Sequence, residues 1–395
     1  MLVTTGIGGL SFVQARHPAM LTGPIEPDMA LPPGAAVLPD GRTVLLVTAH
    51  EQARVFLTDP RWSRAAAAGQ QRVGPASAMS VTELDPPRHT FVRGVVSRMF
   101  SPRAVQQLRA RIQRRAADLI DAMVAAGPPA DLVSSFSAPF AFAVHCDLLG
   151  VPVRARETIR ALSLARSGRP GMTAQETYNA EVALHRGVTE ALNDIRRHGG
   201  DGILAELLAM REHAPLTGGE LTGLASSLFF DGHLLASAQI TSAVLSLLCH
   251  PGQLRLLAGD PRVLAPAVEE LLRWSPSITL GMPRMASAPV DIGSRRMTPG
   301  QTAAVAFGLA NRDDAVFDDP HRLDLSRDPN NHLSFGRGIH HCLGAYLMRL
   351  ELDTALGALL HRLPNLALAV GERQLAWSAS HTIRLLPQLP LKWTS

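Results

Sequence analysis

The order of apolar and polar positions divides the chain unevenly. Residues 1–40 are rich in Pro and Gly and follow no period. "RTVLLVTAHEQARVFLTDPRWS", from Arg42 to Ser63, predicts a short strand and then a helix that stops before Pro60. From Arg64 to Glu83 the chain is Ala-, Gly- and Ser-rich without a clean period, a long connection of the kind that often carries function. Helical periods dominate from there to residue 275. Between Ile278 and Thr302, strand-like pieces such as "VDIG" alternate with turn signals such as "TPG". The tail "HTIRLLPQLPLKW" reads as extended pieces broken by prolines. No internal repeat interrupts this order. The pattern predicts a mainly α protein with a smaller β portion, built as a single domain over residues 1–395.

One element stands apart. Thr217 and Glu220 form a capping box ahead of an apolar run that continues to Cys249, where Pro251 ends it. About 30 residues at about 1.5 Å each make a helix of about 45 Å. So long and apolar a helix is expected to cross the protein's centre. Gly232 in its middle costs about 1 kcal/mol against Ala, a cost usually tolerated where another group comes close.

Composition narrows the class. Of 395 residues, 46% are hydrophobic, enough for a large core, yet no uncharged apolar run of about 18 residues implies a spanning helix. The start "MLVTTGIGGLSFVQARHP" lacks the basic and continuous apolar regions of a signal peptide. Three cysteines, Cys146, Cys249 and Cys342, are too few for a disulfide framework. A cytoplasmic protein without a membrane partner is expected. The net charge of +4 rests almost wholly on Arg, since Lys392 is the only lysine. The cations are not gathered into a nucleic-acid motif. One cluster, "RMFSPRAVQQLRARIQRR" from Arg98 to Arg115, reads as a solvated helix face or as a dock for an acidic protein.

The candidate chemistry lies in "SFGRGIHHCLGAYLMRLEL", Ser334 to Leu352. Apolar residues at 343, 347, 350, 356, 359, 360 and 363 form a helical stripe, which places Cys342 at a helix N-terminus. Unpaired N–H groups and the helix dipole there favour a thiolate. Gly336, Gly338 and Gly344 allow a tight loop against which a flat group can lie. A metal suits such a thiolate. Zinc would want four ligands, and no spaced Cys/His set is present; a single axial thiolate suits heme iron.

The run F-G-x-G-x-x-x-C-L-G, Phe335 to Gly344, resembles the heme-binding loop of cytochrome P-450 enzymes. The resemblance extends along essentially the whole chain. Glu270 and Arg273 in "EELLRW" match the family's E-x-x-R pair, and Arg322 in "DPHRLDLSR" is expected as the third member of that network. His89 and Arg93 match H-x-x-x-R, at a spacing that puts both on one helix face. With Arg284 and His340 they are implied ligands of the heme propionates. The resemblance implies the family's fold, with heme b between the long helix and the helix after Cys342. It also implies O2 as co-substrate, electrons from NAD(P)H through a ferredoxin and its reductase, a small-molecule substrate, and a monomer.

The long helix departs from the family's A/G-G-x-D/E-T. The matching stretch is "DGHLL": Asp231 stands at the small position, Gly232 is kept, and Leu234 and Leu235 replace the acid and alcohol that relay protons. Gly232, Leu235, Ala236 and Gln239 are expected along one catalytic face, and Gly232, His233 and Asp231 are the candidate catalytic residues, His233 or Asp231 as substitute proton handler. Three outcomes follow. Waters or substrate hydroxyls carry protons and hydroxylation survives; substrate radicals couple through C–C or C–N bonds; or peroxide serves as oxidant, against which stands the lack of any Arg between Leu221 and Cys249. The expected pocket comprises Gln70, Gln71 and Met79, then Phe229, Phe230, His233 and Leu234, then Ile278, Thr279 and Thr382. It is largely apolar, suited to an aromatic natural product. A heme sensor without turnover and a hydrolase using His340 and His341 are the alternatives from other classes.

Overall fold

The computed structural model describes residues 6–7, 10–11, 35–37, 43–69, 80–166, 173–211, 216–377 and 383–394. Helices dominate them. Those that build the site are α1 (His50–Thr58), α2 (Arg64–Gly69), α3 (Arg88–Ser97), α4 (Arg109–Ala126), α5 (Ala138–Leu149), α6 (Val153–Arg166), α7 (Ala174–His198), α8 (Gly218–Leu248), α9 (Leu264–Trp274) and α10 (Ala345–Arg362). The principal sheet orders β1 (Ala35–Val37), β2 (Thr43–Val47), β5 (Thr302–Val305), β4 (Arg284–Ala286) and β3 (Trp62–Ser63). Its central pair, β2 and β5, is parallel, with Leu45 opposite Ala303 and Val47 opposite Val305. One large core lies among the helices and a smaller one beside this sheet.

The capping box forms as expected: Thr217 Oγ1 accepts from Glu220 N at 3.1 Å, and Glu220 Oε2 accepts from Thr217 N at 2.9 Å. Glu220 also holds Arg88 of α3, with Nε to Oε1 at 2.6 Å, which ties the start of α8 to the histidine-bearing helix. By length and composition α8 could cross a membrane, but 72% of its most apolar window is buried inside the protein, as befits a core helix. This agrees with the expectation of a long apolar helix through the protein's centre and of no spanning segment.

Two further expectations change. The basic stretch from Arg98 to Arg115 is broken into a 3-10 turn, a short helix (Pro102–Gln107) and the start of α4, because Ser101 caps a new helix at Pro102. The helix after Cys342 starts at Ala345, not at the cysteine; Leu343 and Gly344 form a turn and Gly344 caps α10.

A buried ion pair anchors the architecture. Arg273 Nε and Nη2 donate to the two oxygens of Glu270 at 2.7 and 2.8 Å, and both side chains are 0% exposed. Arg273 Nη1 donates to the carbonyls of Asn311 and Pro320, each at 2.9 Å. The third member is Arg327, which reaches Glu270 Oε2 from Nε at 3.2 Å. The expected Arg322 supplies only its carbonyl to Arg273; its side chain is 65% exposed beside Asp324. Asp324 N and Asn330 Nδ2 also donate to Glu270, so the carboxylate is saturated. A pair so buried depends on complete partnering. Glu270→Gln should lower unfolding free energy by about 3–5 kcal/mol, whereas Arg322→Ala should stay within about 0.5 kcal/mol of the parent. Urea unfolding of both variants and of Arg327→Ala checks this, and an Arg322→Ala loss as large as that of Arg327→Ala would restore the sequence assignment.

Candidate functional site

The same network fixes the cysteine loop. Asn311 Oδ1 accepts from Leu333 N at 2.7 Å, Asn311 Nδ2 donates to Ser334 Oγ at 2.8 Å, and Ser334 Oγ donates to Leu272 O at 2.7 Å. Glu269, next to the buried pair, grips Arg349 of α10 at 2.6 and 2.7 Å. Arg349 lies over the Phe335 ring at 4.6 Å. The loop is therefore clamped from α9 on one side and α10 on the other. Cys342 N donates to Phe335 O at 2.8 Å and closes it. Gly336 (φ 66°) and Gly338 (φ 75°) adopt left-handed backbone, and a Cβ at Gly338 would fall 2.7 Å from Leu57 O of α1. Gly344 differs: its φ is −84° and a Cβ would meet nothing within 4 Å, so neither backbone nor a protein neighbour demands glycine there.

Cys342 keeps accessible surface although the fold encloses it closely enough that burial pushes its thiol up. Its surface therefore belongs to an internal opening. The Gly344 N–H, Arg93 and Arg349 act against that rise, and Asp231 adds to it. Asp231 of α8 is thus near enough to the cysteine loop to act on the thiol.

Beside the loop lies a concentration of buried donors. His89, 1% exposed, and His340 approach with ring centroids 4.3 Å apart. Both nitrogens of His89 and Nε2 of His340 are buried without a hydrogen-bond partner. Burial, with Arg284, His89 and Arg64 nearby, pulls His340 down to about 3. Arg284 is buried, donating to Leu57 O at 2.9 Å, and burial beside Arg64 lowers it to about 10. Arg93 Nη2 donates to His341 O. Sequence reasoning missed Arg64, which is 3% exposed on α2 and donates to Thr82 O at 3.0 Å and to Pro283 O. The acids acting on this group are Asp85, whose carboxylate takes hydrogen bonds from Arg64 N, Ala65 N and Ser63 Oγ, and Glu83, which acts on Arg64. Three arginines and two imidazoles thus gather with orphaned nitrogens and little negative charge. Two carboxylates are what such a cluster lacks. The donor set, the enclosed thiol and the open space over Gly344 fit heme: Cys342 would take the iron, and His89, Arg93, Arg284, His340 and Arg64 the propionates. Among the described residues no three of His, Cys, Asp and Glu gather to hold a metal ion. The hydrolase alternative thus lacks its ligand set.

The central helix revises the catalytic expectations. A Cβ at Gly232 would overlap the ring of His145 on α5, so the glycine admits a histidine from a neighbouring helix while keeping accessible surface of its own. His145 Nδ1 lies 2.9 Å from Ala141 O, and its ring abuts the buried Glu351 of α10 at 3.6 Å. His233 is a core residue: Nδ1 lies 2.7 Å from Phe229 O, Nε2 lies 2.9 Å from Ser163 Oγ, and burial pulls its pKa down to about 4. Both ring nitrogens are engaged away from the opening, which removes it from the catalytic set. Phe229 packs edge-on to Phe142 and against His233, and is likewise core; Phe230 is also buried there. Accessible surface on α8 recurs instead at residues 227, 228, 231, 232, 234 and 235, the helical spacing of one face. Ala236 and Gln239 are fully buried. The open face thus presents Asp231, Gly232, Leu234 and Leu235. Ile278 and Thr279 keep partial exposure, while Gln70, Gln71, Met79 and Thr382 lie outside the described residues.

Arg64→Ala should weaken heme retention about 10- to 100-fold, as expected for loss of a charge-assisted hydrogen bond, with Arg64→Lys in between. Heme transfer to an excess of apo-globin measures this, and retention equal to the parent's would remove Arg64 from the propionate set.

Comparison with known proteins agrees with this geometry. A family model, cytochrome P450, matches residues 262–368. Nocardicin C N-oxygenase of Nocardia uniformis subsp. tsuyamanensis is 38% identical over 362 residues, covering 90% of this chain and 91% of that relative. Cytochrome P450 monooxygenase PikC of Streptomyces venezuelae is 37% identical over 361 residues, 90% of this chain and 86% of that protein. Among solved structures, HinD with NMFT and NO superposes with a TM-score of 0.86 at 36% identity, covering 99% of this chain and 98% of that one.

Proposed function

The chain belongs to the cytochrome P450 family and is a heme-thiolate oxidoreductase, and from this premise we propose that it tailors a bacterial natural product by oxidative coupling rather than by oxygen insertion. The observation that carries this reading is the open face of α8. Leu234 and Leu235 stand where a proton relay would need an acid and an alcohol, while Asp231 stands one turn earlier on the same face. When bound, heme supplies activation of dioxygen and one-electron oxidation of the substrate. Everything else falls to the chain. Cys342 anchors the group from a loop that α9 and α10 hold rigid. Arg64, Arg284, Arg93 and the two imidazoles orient it. The two leucines exclude water and offer no hydroxyl. Asp231 is the acceptor left on that face for a proton that a phenol, indole or amide surrenders when it is oxidised. Dioxygen activation takes up two protons whether the substrate is coupled or hydroxylated, and in this reading water or the substrate's own O–H and N–H groups supply them in place of the missing acid and alcohol. The relatives' names support tailoring in general, since nocardicin C and mycinamicin IV are the substrates named for two of them. The apolar face suits an aromatic substrate.

Electrons in this reading come from a ferredoxin and its reductase in the cytoplasm. The basic stretch supports a docking site: Arg98, Arg103, Arg111 and Arg114 are exposed, whereas Arg109 pairs with Asp353 of α10 at 3.0 Å and Arg115 with Asp147. The Arg109 contact sets the patch against the helix that follows Cys342. Arg98→Glu with Arg111→Glu should slow ferredoxin-driven reduction about tenfold or more at low salt and less at high salt. Reduction by dithionite should not change. An unchanged ferredoxin rate would reject the dock.

The reaction outcome is tested with surrogate ferredoxin, reductase and NAD(P)H under oxygen-18 gas, offering indole-bearing cyclic dipeptides and aromatic polyketides and reading product masses. Coupling predicts loss of two hydrogens and no label. Labelled oxygen in the product would make the protein a hydroxylating monooxygenase.

A further inference from the structure

Gln239 lies eight residues after Asp231 on α8, about 12 Å along the helix axis. It is 1% exposed and reaches out of its own helix. Its Nε2 donates to Ser275 O at 3.1 Å, and its Oε1 accepts from Ser277 N at 2.8 Å. One side-chain amide therefore satisfies both the carbonyl and the N–H at the exit of α9, where the helix has just ended and its backbone groups need partners. Ser246, two turns further along α8, supports the same point through its hydroxyl, 3.2 Å from Ser275 Oγ. The segment leaving this clamp is pinned again downstream. Ser277 O accepts from Arg384 N at 2.8 Å, Leu280 bridges Ala306, and Gly281 N donates to Val305 O at 2.8 Å. It ends at Pro283, whose carbonyl accepts from Arg64, and at Arg284.

Within the otherwise buried run from Leu271 to Arg284, accessible surface survives at Ile278, Thr279 and Met282. Met282 Sδ lies 3.5 Å from Arg64 Nη2, so that end of the run borders the propionate cluster. The segment is thus a short wall. It is fixed to the cofactor cations at one end and to the central helix at the other, with Ile278, bridged to Ile383 and packed on the sheet-side core, and Thr279 partly exposed between.

We propose that Gln239 is a positioning residue that sets, through the backbone at Ser275 and Ser277, where Ile278 and Thr279 meet a bound ligand, and so which part of a substrate is offered for oxidation. The inference rests on membership of the P450 family and not on the coupling reaction, so the oxygen-18 result neither supports nor sinks it. The physical ground is that a buried amide bonded to two backbone groups has no apolar replacement of equal shape that leaves those groups satisfied. Losing it frees the first residues of the wall while the downstream pins hold the cofactor end.

The test uses two azole probes on the heme-loaded protein. Imidazole is small enough to report the iron and its immediate surroundings, whereas 4-phenylimidazole also reports the wall. Gln239→Met should keep heme content and imidazole affinity within about twofold of the parent and weaken 4-phenylimidazole by about tenfold, the loss expected for one buried hydrogen bond left unmade. Gln239→Glu, which keeps an acceptor for Ser277 N–H, should recover most of that loss and stands in if the methionine variant does not hold heme. In an Ile278→Ala background the effect of Gln239→Met should shrink to about threefold or less, because the residue acts through the wall. Overturning results are an unchanged ratio of the two affinities, or full additivity of Gln239→Met with Ile278→Ala.

Discussion

The buried Glu270–Arg273 pair is the constraint on which the site depends. Two charges without solvent are tolerable only when every lone pair and proton has a partner. Here the partners come from the meander between Asn311 and Asn330, so the pair draws that irregular stretch onto α9. Asn311 then passes the constraint to Leu333 and Ser334, the residues that open the cysteine loop. Glu269, one residue earlier, holds Arg349 on the far side of that loop. A loop with two left-handed glycines would otherwise be costly to order. Ordered from both sides, it presents one sulfur at a fixed place.

The central helix is organised by a different principle. Its faces are assigned by what neighbouring helices push into them. His145 of α5 occupies the space over Gly232, and Ser163 of α6 captures His233. Ser137 at the start of α5 meets Thr241 at 2.8 Å, and Gln239 reaches the exit of α9. What remains open is the strip with Asp231, Gly232, Leu234 and Leu235. The chemistry the protein can perform is thus set by the strip its neighbours leave uncovered.

Much of this was legible in the sequence, and the reason is spacing. The cysteine loop, the E-x-x-R pair, His89 with Arg93, and the Thr217–Glu220 box are local patterns whose geometry follows from helix and turn periods. The helix start after Cys342 moved by three residues because Gly344, not the cysteine, caps it. Other parts depend on contacts between distant segments. Arg322 and Arg327 are both arginines of one loop, and only the path of the meander decides which reaches Glu270. Arg64 sits in an Ala-rich stretch with no motif, and only the approach of the segment leading into β4 brings it into the cation cluster beside the cysteine loop. The glycine in "DGHLL" signalled a close approach correctly, but not the histidine 87 positions earlier that makes it. His233 carries no local mark that distinguishes a core histidine from a proton carrier; two hydrogen bonds across helices do that.

The central claim is that the Cys342 sulfur, held by this clamped loop, is the axial ligand that defines the protein's chemistry. The most direct measurement is the absorption spectrum of the reduced, carbon monoxide-bound protein, recorded for the parent and for Cys342→Ser at matched heme content. The parent is predicted to show the strongly red-shifted Soret band of thiolate ligation, and the serine variant to lose that shift while remaining folded by circular dichroism. A parent spectrum without the shift, or a serine variant that keeps it, would contradict the account.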